Sequence, residues 1–202
     1  FAAKPAPDVG CTDRQVQRLT TTTGVEFGLL GRKRAAPVPT VFWFGGAIDL
    51  SAVEIVPFLV ERGYLCVSLD TPGHGKNRES GEPPDGMDAW RHRIEAKKNF
   101  IPQFNQKISK VLDYLIAEGF TDPDRVAVVG GSRGAFIAFH YAASDPRVKS
   151  VGGQIPLTEL GHITEFKGME NDPLTLDDAI VREVKRRRVS RGERWRRKER
   201  RG

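Results

Sequence analysis

The pentapeptide Gly130-Gly131-Ser132-Arg133-Gly134 constrains this chain more than any other segment. An apolar run, Arg125-Val126-Ala127-Val128-Val129, leads into it, and Ala135-Phe136-Ile137-Ala138-Phe139 leaves it with helical character. A strand that turns sharply into a helix between glycines puts the serine in a strained backbone geometry and lifts its hydroxyl off the sheet. The start of the helix also aims backbone N–H groups at the same spot, where they can hold an oxyanion. The pattern therefore predicts a nucleophile elbow at Ser132. The bare string also fits a tight glycine turn with an incidental serine, or a backbone nest that cradles phosphate.

The segments around the elbow alternate between strand and helix. Gln15 to Thr22 alternates and is rich in threonine, and Val25 to Leu30 follows after Gly24, which reads as an antiparallel entry hairpin. Pro39 to Phe44 is a continuous apolar strand ending in Gly45-Gly46, the pattern of a strand covered on both faces. Ser51 and Glu54 form a capping box for a helix whose Ala52, Ile55, Val56, Leu59 and Val60 share a stripe. Gly63 stops that helix, and Pro57 predicts a kink inside it. A strand from Tyr64 to Leu69 runs into the loop Asp70-Thr71-Pro72-Gly73-His74-Gly75. A long helical region follows Gly86, with Phe104, Ile108, Val111, Leu112 and Leu115 at helical spacing and a stop at Gly119. Val148 to Ile155 reads as a last short strand. Such alternation implies an α/β fold, a doubly wound and mostly parallel sheet with flanking helices, whose ligand site lies at the carboxyl ends of the strands.

With Ser132 on its elbow, the Gly45-Gly46 turn, the Asp70 to Gly75 loop and this strand order, the chain resembles the α/β-hydrolase superfamily over about residues 15–165. The segment from Ile155 to Leu160 is most similar to the dienelactone-hydrolase and prolyl-oligopeptidase-like branches. The resemblance implies acyl transfer on a small-molecule ester or amide: Ser132 attacks the carbonyl, an acyl-enzyme forms, and water releases it. It places the oxyanion hole at the backbone N–H of Arg133 and one from Gly46 or Ala47. It implies no cofactor and no metal. Phe44 stands where many relatives carry histidine.

Family order would place an acid after the seventh strand and a histidine after the eighth, and neither strand is legible here, so the chain reads as truncated at its C-terminal end. After Ser132 the histidines are His140, which reads as a buried core residue, and His162, which could approach from a cap segment with Glu159 or Asp172 as its acid. His74 lies in a loop that shapes a turn in the family, and His92 sits among Arg91, Arg93 and Lys97 on what reads as a solvated helix face.

Charge divides the chain sharply. Residues 179–202 hold 12 Lys and Arg against 3 Asp and Glu, while the rest holds 20 against 23. A run with so few apolar residues cannot build core, and the reading is a disordered basic tail. Its abrupt onset is what a shifted reading frame in GC-rich DNA would yield. The domain reading is then a leader at 1–14, a hydrolase core at 15–165, a loop or cap remnant at 166–178, and the tail at 179–202. A competing reading makes the body a non-catalytic scaffold or binding module and the tail a contact for nucleic acid or an anionic surface. No apolar stretch approaches the roughly 20 residues of a membrane span. Phe1 to Pro7 reads as the stub of a leader or a fragment edge, which leaves the compartment open. Missing strands would leave an exposed sheet edge, and with it self-association.

Overall fold

A computed structural model describes residues 15–50, 53–84, 86–157, 160 and 163–168. Glu159, His162 and Asp172, the helix-start residues Ser51 and Ala52, and the tail at 179–202 lie outside the described residues.

The threonine-rich start folds as expected. Strand β1 (Gln17–Thr20) turns through Gly24, at φ +82°, into β2 (Glu26–Leu30), and the two pair antiparallel. Strand β3 (Val38–Phe44) is the apolar run before Gly45-Gly46, and β4 (Leu65–Ser68) is buried along its whole length. Strand β5 (Thr121–Gly131) leads into the elbow, and β6 (Val148–Gln154) follows. The six strands lie in the order β1-β2-β4-β3-β5-β6. β4, β3, β5 and β6 run parallel, and β2 joins β4 antiparallel, so the sheet is mixed and mostly parallel.

Helices cover both faces. On one face α3 (Phe100–Ala117) buries the heptad-like row Phe104, Ile108, Val111, Leu112 and Leu115, and α4 (Arg133–Ser144) lies beside it. Helix α2 (Gly86–Glu95) adds Trp90, fully buried against Phe100 and Phe136, with its indole N–H donating to the Pro72 carbonyl at 2.8 Å. On the other face α1 (Ile55–Glu61) packs Val56 and Val60 on Leu30, Leu50 and Cys66. Burial pushes the Cys66 thiol up to about 12, so it behaves as a small apolar side chain.

Three local expectations need correction. Helix α1 begins at Ile55, so Pro57 falls in its first turn, where a missing N–H breaks no helical bond and no kink is required. Ile55 is 45 % exposed and leaves the buried stripe, which narrows to Val56 and Val60. Arg93 is buried rather than solvated, because Glu82 reaches back from the preceding loop to pair with it.

Candidate functional site

The elbow owes its shape to two glycines. Ser132 adopts φ +49° and ψ −117°, a conformation that side chains rarely take, and its residue is exposed. A Cβ on Gly134 would sit 1.8 Å from the Phe44 carbonyl oxygen, and one on Gly130 would sit 2.2 Å from the Gly134 backbone. The turn therefore closes only because strand β5, helix α4 and the end of β3 touch backbone to backbone. Phe44 is in register with Gly130, so the Gly45-Gly46 turn leaves the sheet directly beside the elbow. On the other side β6 holds the elbow in place: the Ser132 N–H donates to the Gln154 carbonyl at 3.0 Å, and the Leu157 N–H donates to the Ser132 carbonyl at 3.2 Å.

The second turn is held by side chains from the end of β4. Thr71 donates to the Gly46 carbonyl twice, from its N–H at 2.7 Å and its hydroxyl at 3.0 Å. Asp70, only 8 % exposed, accepts from the Ile48 N–H at 2.8 Å through one oxygen and from the Lys76 N–H at 3.0 Å through the other. The Ser68 hydroxyl donates to the Ile48 carbonyl. Gly75 is required by the same arrangement, since a Cβ there would lie 2.0 Å from the Asp70 carboxylate. A buried carboxylate that accepts two backbone N–H bonds is satisfied without a counterion, and it fixes the geometry of the Gly46 to Ile48 turn. Gly46 itself sits at φ +127°, where a Cβ would be strained.

His74 joins the two turns. Its Nε2 meets the Arg133 guanidinium, and its Nδ1 lies 3.3 Å from the Thr71 hydroxyl. A guanidinium has only donors, so Nε2 accepts and Nδ1 carries the proton. Burial first, and then the Arg133 charge, hold the His74 pKa below the usual imidazole value, so the ring is neutral near pH 7. Gly46 and Gly86 leave room for this pair: a Cβ on Gly46 would meet the His74 ring at 3.4 Å, and one on Gly86 would meet it at 2.4 Å and the guanidinium at 2.5 Å.

Of the residues singled out from sequence, Ser132, Arg133 and Gly46 converge here, with Ala47 next along the turn. His140 is buried in α4, its ring centroid 4.2 Å from that of Phe136, and His92 is exposed. The contributions of Asp70 and of the His74–Arg133 contact were not foreseen. The glycines flanking His74 were a usable signal for the loop, but nothing local points to a partner 59 residues away. Among the described residues no group of His, Cys, Asp and Glu could hold a metal ion, and no helix is long and apolar enough to cross a membrane.

This arrangement of a mixed sheet, a strained exposed serine after the fifth strand and an adjoining glycine turn is that of an α/β-hydrolase. The sequence profile of the alpha/beta hydrolase fold matches residues 44–188, and the chain belongs to that family. It is 32 % identical over 123 residues to Hydrolase LUC6 of a Fusarium species, a match that takes in 56 % of this chain and 25 % of that protein. It is 27 % identical over 133 residues to the uncharacterized protein YcjY of Escherichia coli, covering 66 % of this chain and 38 % of the relative. The chain thus spans about a quarter to two fifths of the length of these curated relatives. Among solved structures it resembles TT1662 of Thermus thermophilus (TM-score 0.55, 22 % identity, 80 % of this chain and 64 % of that one). It also resembles a cold-adapted esterase from an Arctic intertidal metagenomic library (TM-score 0.50, 21 % identity, 68 % and 58 %). At such identities these structures speak for the fold alone.

Proposed function

We propose that this chain carries the acylation centre of a serine hydrolase that cleaves a carboxylic ester or amide. The observation that carries the reading is Ser132, held at φ +49° and exposed beside the Gly46 turn. The Ser132 oxygen bonds to the substrate carbonyl carbon, and the charge that develops on the carbonyl oxygen is met by the N–H of Arg133 and that of Gly46 or Ala47. The bond to the leaving oxygen or nitrogen then breaks, the leaving group takes up a proton, and water cleaves the acyl-enzyme. Each such N–H is worth about 3 kcal/mol of transition-state stabilisation. That makes intelligible the investment of Asp70, Thr71 and Ser68 in fixing a three-residue turn.

A hydroxyl needs a base. Within this sequence His74 has its Nε2 occupied by Arg133, His140 is buried in α4 and His92 is exposed on α2, and we carry His162 forward as the base to be tried, with Glu159 as its acid. That pairing is open to direct trial. Full-length protein is incubated with a fluorophosphonate and with 4-nitrophenyl acetate, and labelling is read by intact mass. A covalent adduct that Ser132→Ala abolishes supports the nucleophile, and absence of any adduct overturns the reading. Loss of turnover in His162→Ala with labelling slowed at least 100-fold assigns the base.

A further inference from the structure

Among the described residues, those other than glycine with a left-handed backbone are Lys97, Ser132 and Ile155. Lys97 follows helix α2, where the Lys98 N–H donates to the Arg93 carbonyl at 2.8 Å, a common way for a helix to end. The other two stand side by side. Gly131 pairs with Gln154 in the parallel β5–β6 register, so the next positions along the two strands are Ser132 and Ile155. Neighbouring strands lie about 4.8 Å apart.

Ile155 is the harder of the two to account for. It sits at φ +46° and precedes Pro156. A left-handed φ is an outlier for a β-branched residue, and a residue before proline is driven toward extended backbone instead. Such strain persists only where the surroundings impose it. Here they include the nucleophile residue itself. The Ser132 N–H donates to the Gln154 carbonyl at 3.0 Å and the Ser132 carbonyl accepts from the Leu157 N–H at 3.2 Å, so the bend is clamped on both sides of Ile155 and Pro156. A Cβ on Gly153 would meet Ala135 at 3.1 Å and Phe139 and Pro156 at 3.2 Å, so the bend folds close over the end of β6. Leu157 packs against the core, whereas Ile155 is 84 % exposed, well above Ile55 and Phe58. A single exposed isoleucine needs no explanation; a strained one tied to Ser132 does. Because β5 lies between β3 and β6, the Gly46 turn flanks Ser132 on one side and Ile155 flanks it on the other.

Resting on the hydrolase reading, we propose that Ile155 is a specificity-determining residue, an apolar platform beside Ser132 that selects substrates bearing a hydrocarbon chain on the scissile carbonyl. A carbonyl whose oxygen is held at the Gly46 turn lays that chain over Ile155 on the opposite side, and water leaves both apolar surfaces. The strain is retained because relaxing the bend would withdraw the side chain from the substrate. The chain belongs to the acyl group or to the leaving group, and the test separates the two.

Single-turnover acylation of Ser132 in the full chain is followed by intact mass with two pairs of esters. 4-Nitrophenyl acetate and hexanoate differ in the acyl chain, while phenyl acetate and 4-butylphenyl acetate differ in the leaving group. In each case the serine oxygen bonds to the acyl carbon, the ester C–O bond breaks, the phenol oxygen leaves, and the serine proton passes to it or to solvent. Each methylene withdrawn from water is worth about fourfold, so in Ile155→Ala the long-to-short rate ratio of one pair should fall about 4- to 16-fold. A fall in the first pair puts the chain on the acyl side, and a fall in the second puts it on the leaving side. The ratio survives in Ile155→Leu. Ile155→Gly should lose the preference while its thermal midpoint rises by about 2 to 4 °C, because glycine takes a left-handed φ without strain. Ratios unchanged in both pairs in Ile155→Ala overturn the inference and leave the hydrolase reading intact. A lowered midpoint in Ile155→Gly also overturns it, by making Ile155 a packing residue. If no ester acylates Ser132, the hydrolase reading and this inference fall together.

Discussion

Gly134 shows how little freedom the elbow has. Its Cα faces the Phe44 carbonyl so closely that Gly134→Ala forces β3 and α4 apart, and the expected loss is about 3 kcal/mol of stability, read from urea unfolding. A shift within experimental error would mean that the three backbones are not in contact. The His74–Arg133 pair gives a residue-scale pH dependence. His74 has its folded pKa depressed, so its contribution is fully present above the unfolded value of about 6.5 and is lost as pH falls from there toward the folded value. The thermal midpoint of the unaltered protein should therefore fall more between roughly pH 7.5 and 5 than that of His74→Gln. Parallel curves for the two proteins would contradict the linkage. At this scale the sequence was legible wherever chemistry is local: Ser132 announces itself through its flanking glycines. The neutral His74 was not legible, because its state depends on a guanidinium brought to it by the fold.

Helix α2 and the loop before it form one unit held by charge. The Arg93 Nη2 donates to Glu82 at 3.1 Å and also to the Asn77 carbonyl, while its guanidinium lies 5.4 Å from the Phe100 ring centroid. The side chains of Arg93 and Glu82 are 6 % and 1 % exposed. Breaking such a buried pair from one side leaves an uncompensated charge, so Glu82→Gln should cost about 3 kcal/mol or more. The paired replacement Arg93→Met with Glu82→Leu should cost much less. Limited proteolysis within residues 75–84 would report the loosening, and equal cleavage rates would argue against a strap. The periodic pattern of α3 was readable because Phe104, Ile108, Val111, Leu112 and Leu115 all pack into the one core under the sheet. The start of α1 was misplaced because Glu54 looks like part of a capping box but makes no side-chain cap bond. The α2 strap could not be foreseen, since a polar, proline-containing loop gives no sign that one of its glutamates will be buried.

Across the whole molecule the α/β class and the mostly parallel sheet follow from alternation in the sequence, and so does the expectation of a site at the carboxyl ends of the strands, where β5 ends in the elbow. What alternation does not convey is how completely each face is covered. Val126 and Val128 of β5 are buried under α3 and α4, whereas Ala127, Val129 and the neighbouring Trp43 on the face shared with α1 are only half-buried. Ile55 and Phe58 of α1 add exposed apolar surface, at 45 % and 47 %. Among the described residues β6 pairs with β5 alone, which leaves its outer edge as a template for another strand. The chain on its own is therefore expected to self-associate in sedimentation velocity, with a weight-average mass that rises with concentration. A monodisperse monomer with a sharp thermal transition would refute that expectation.

The contact of β3 with the start of α4 has a temporal corollary. The two amide groups proposed to meet the oxyanion belong to residue 133 and to residue 46 or 47, far apart along the chain and neighbours only once the parallel β3–β5 ladder has formed. Ladders between distant segments assemble late, because the intervening chain must first be looped. In a refolding experiment, reactivity toward a fluorophosphonate would thus emerge after the helical circular-dichroism signal has recovered, making covalent capture a clock for the final closure of the sheet.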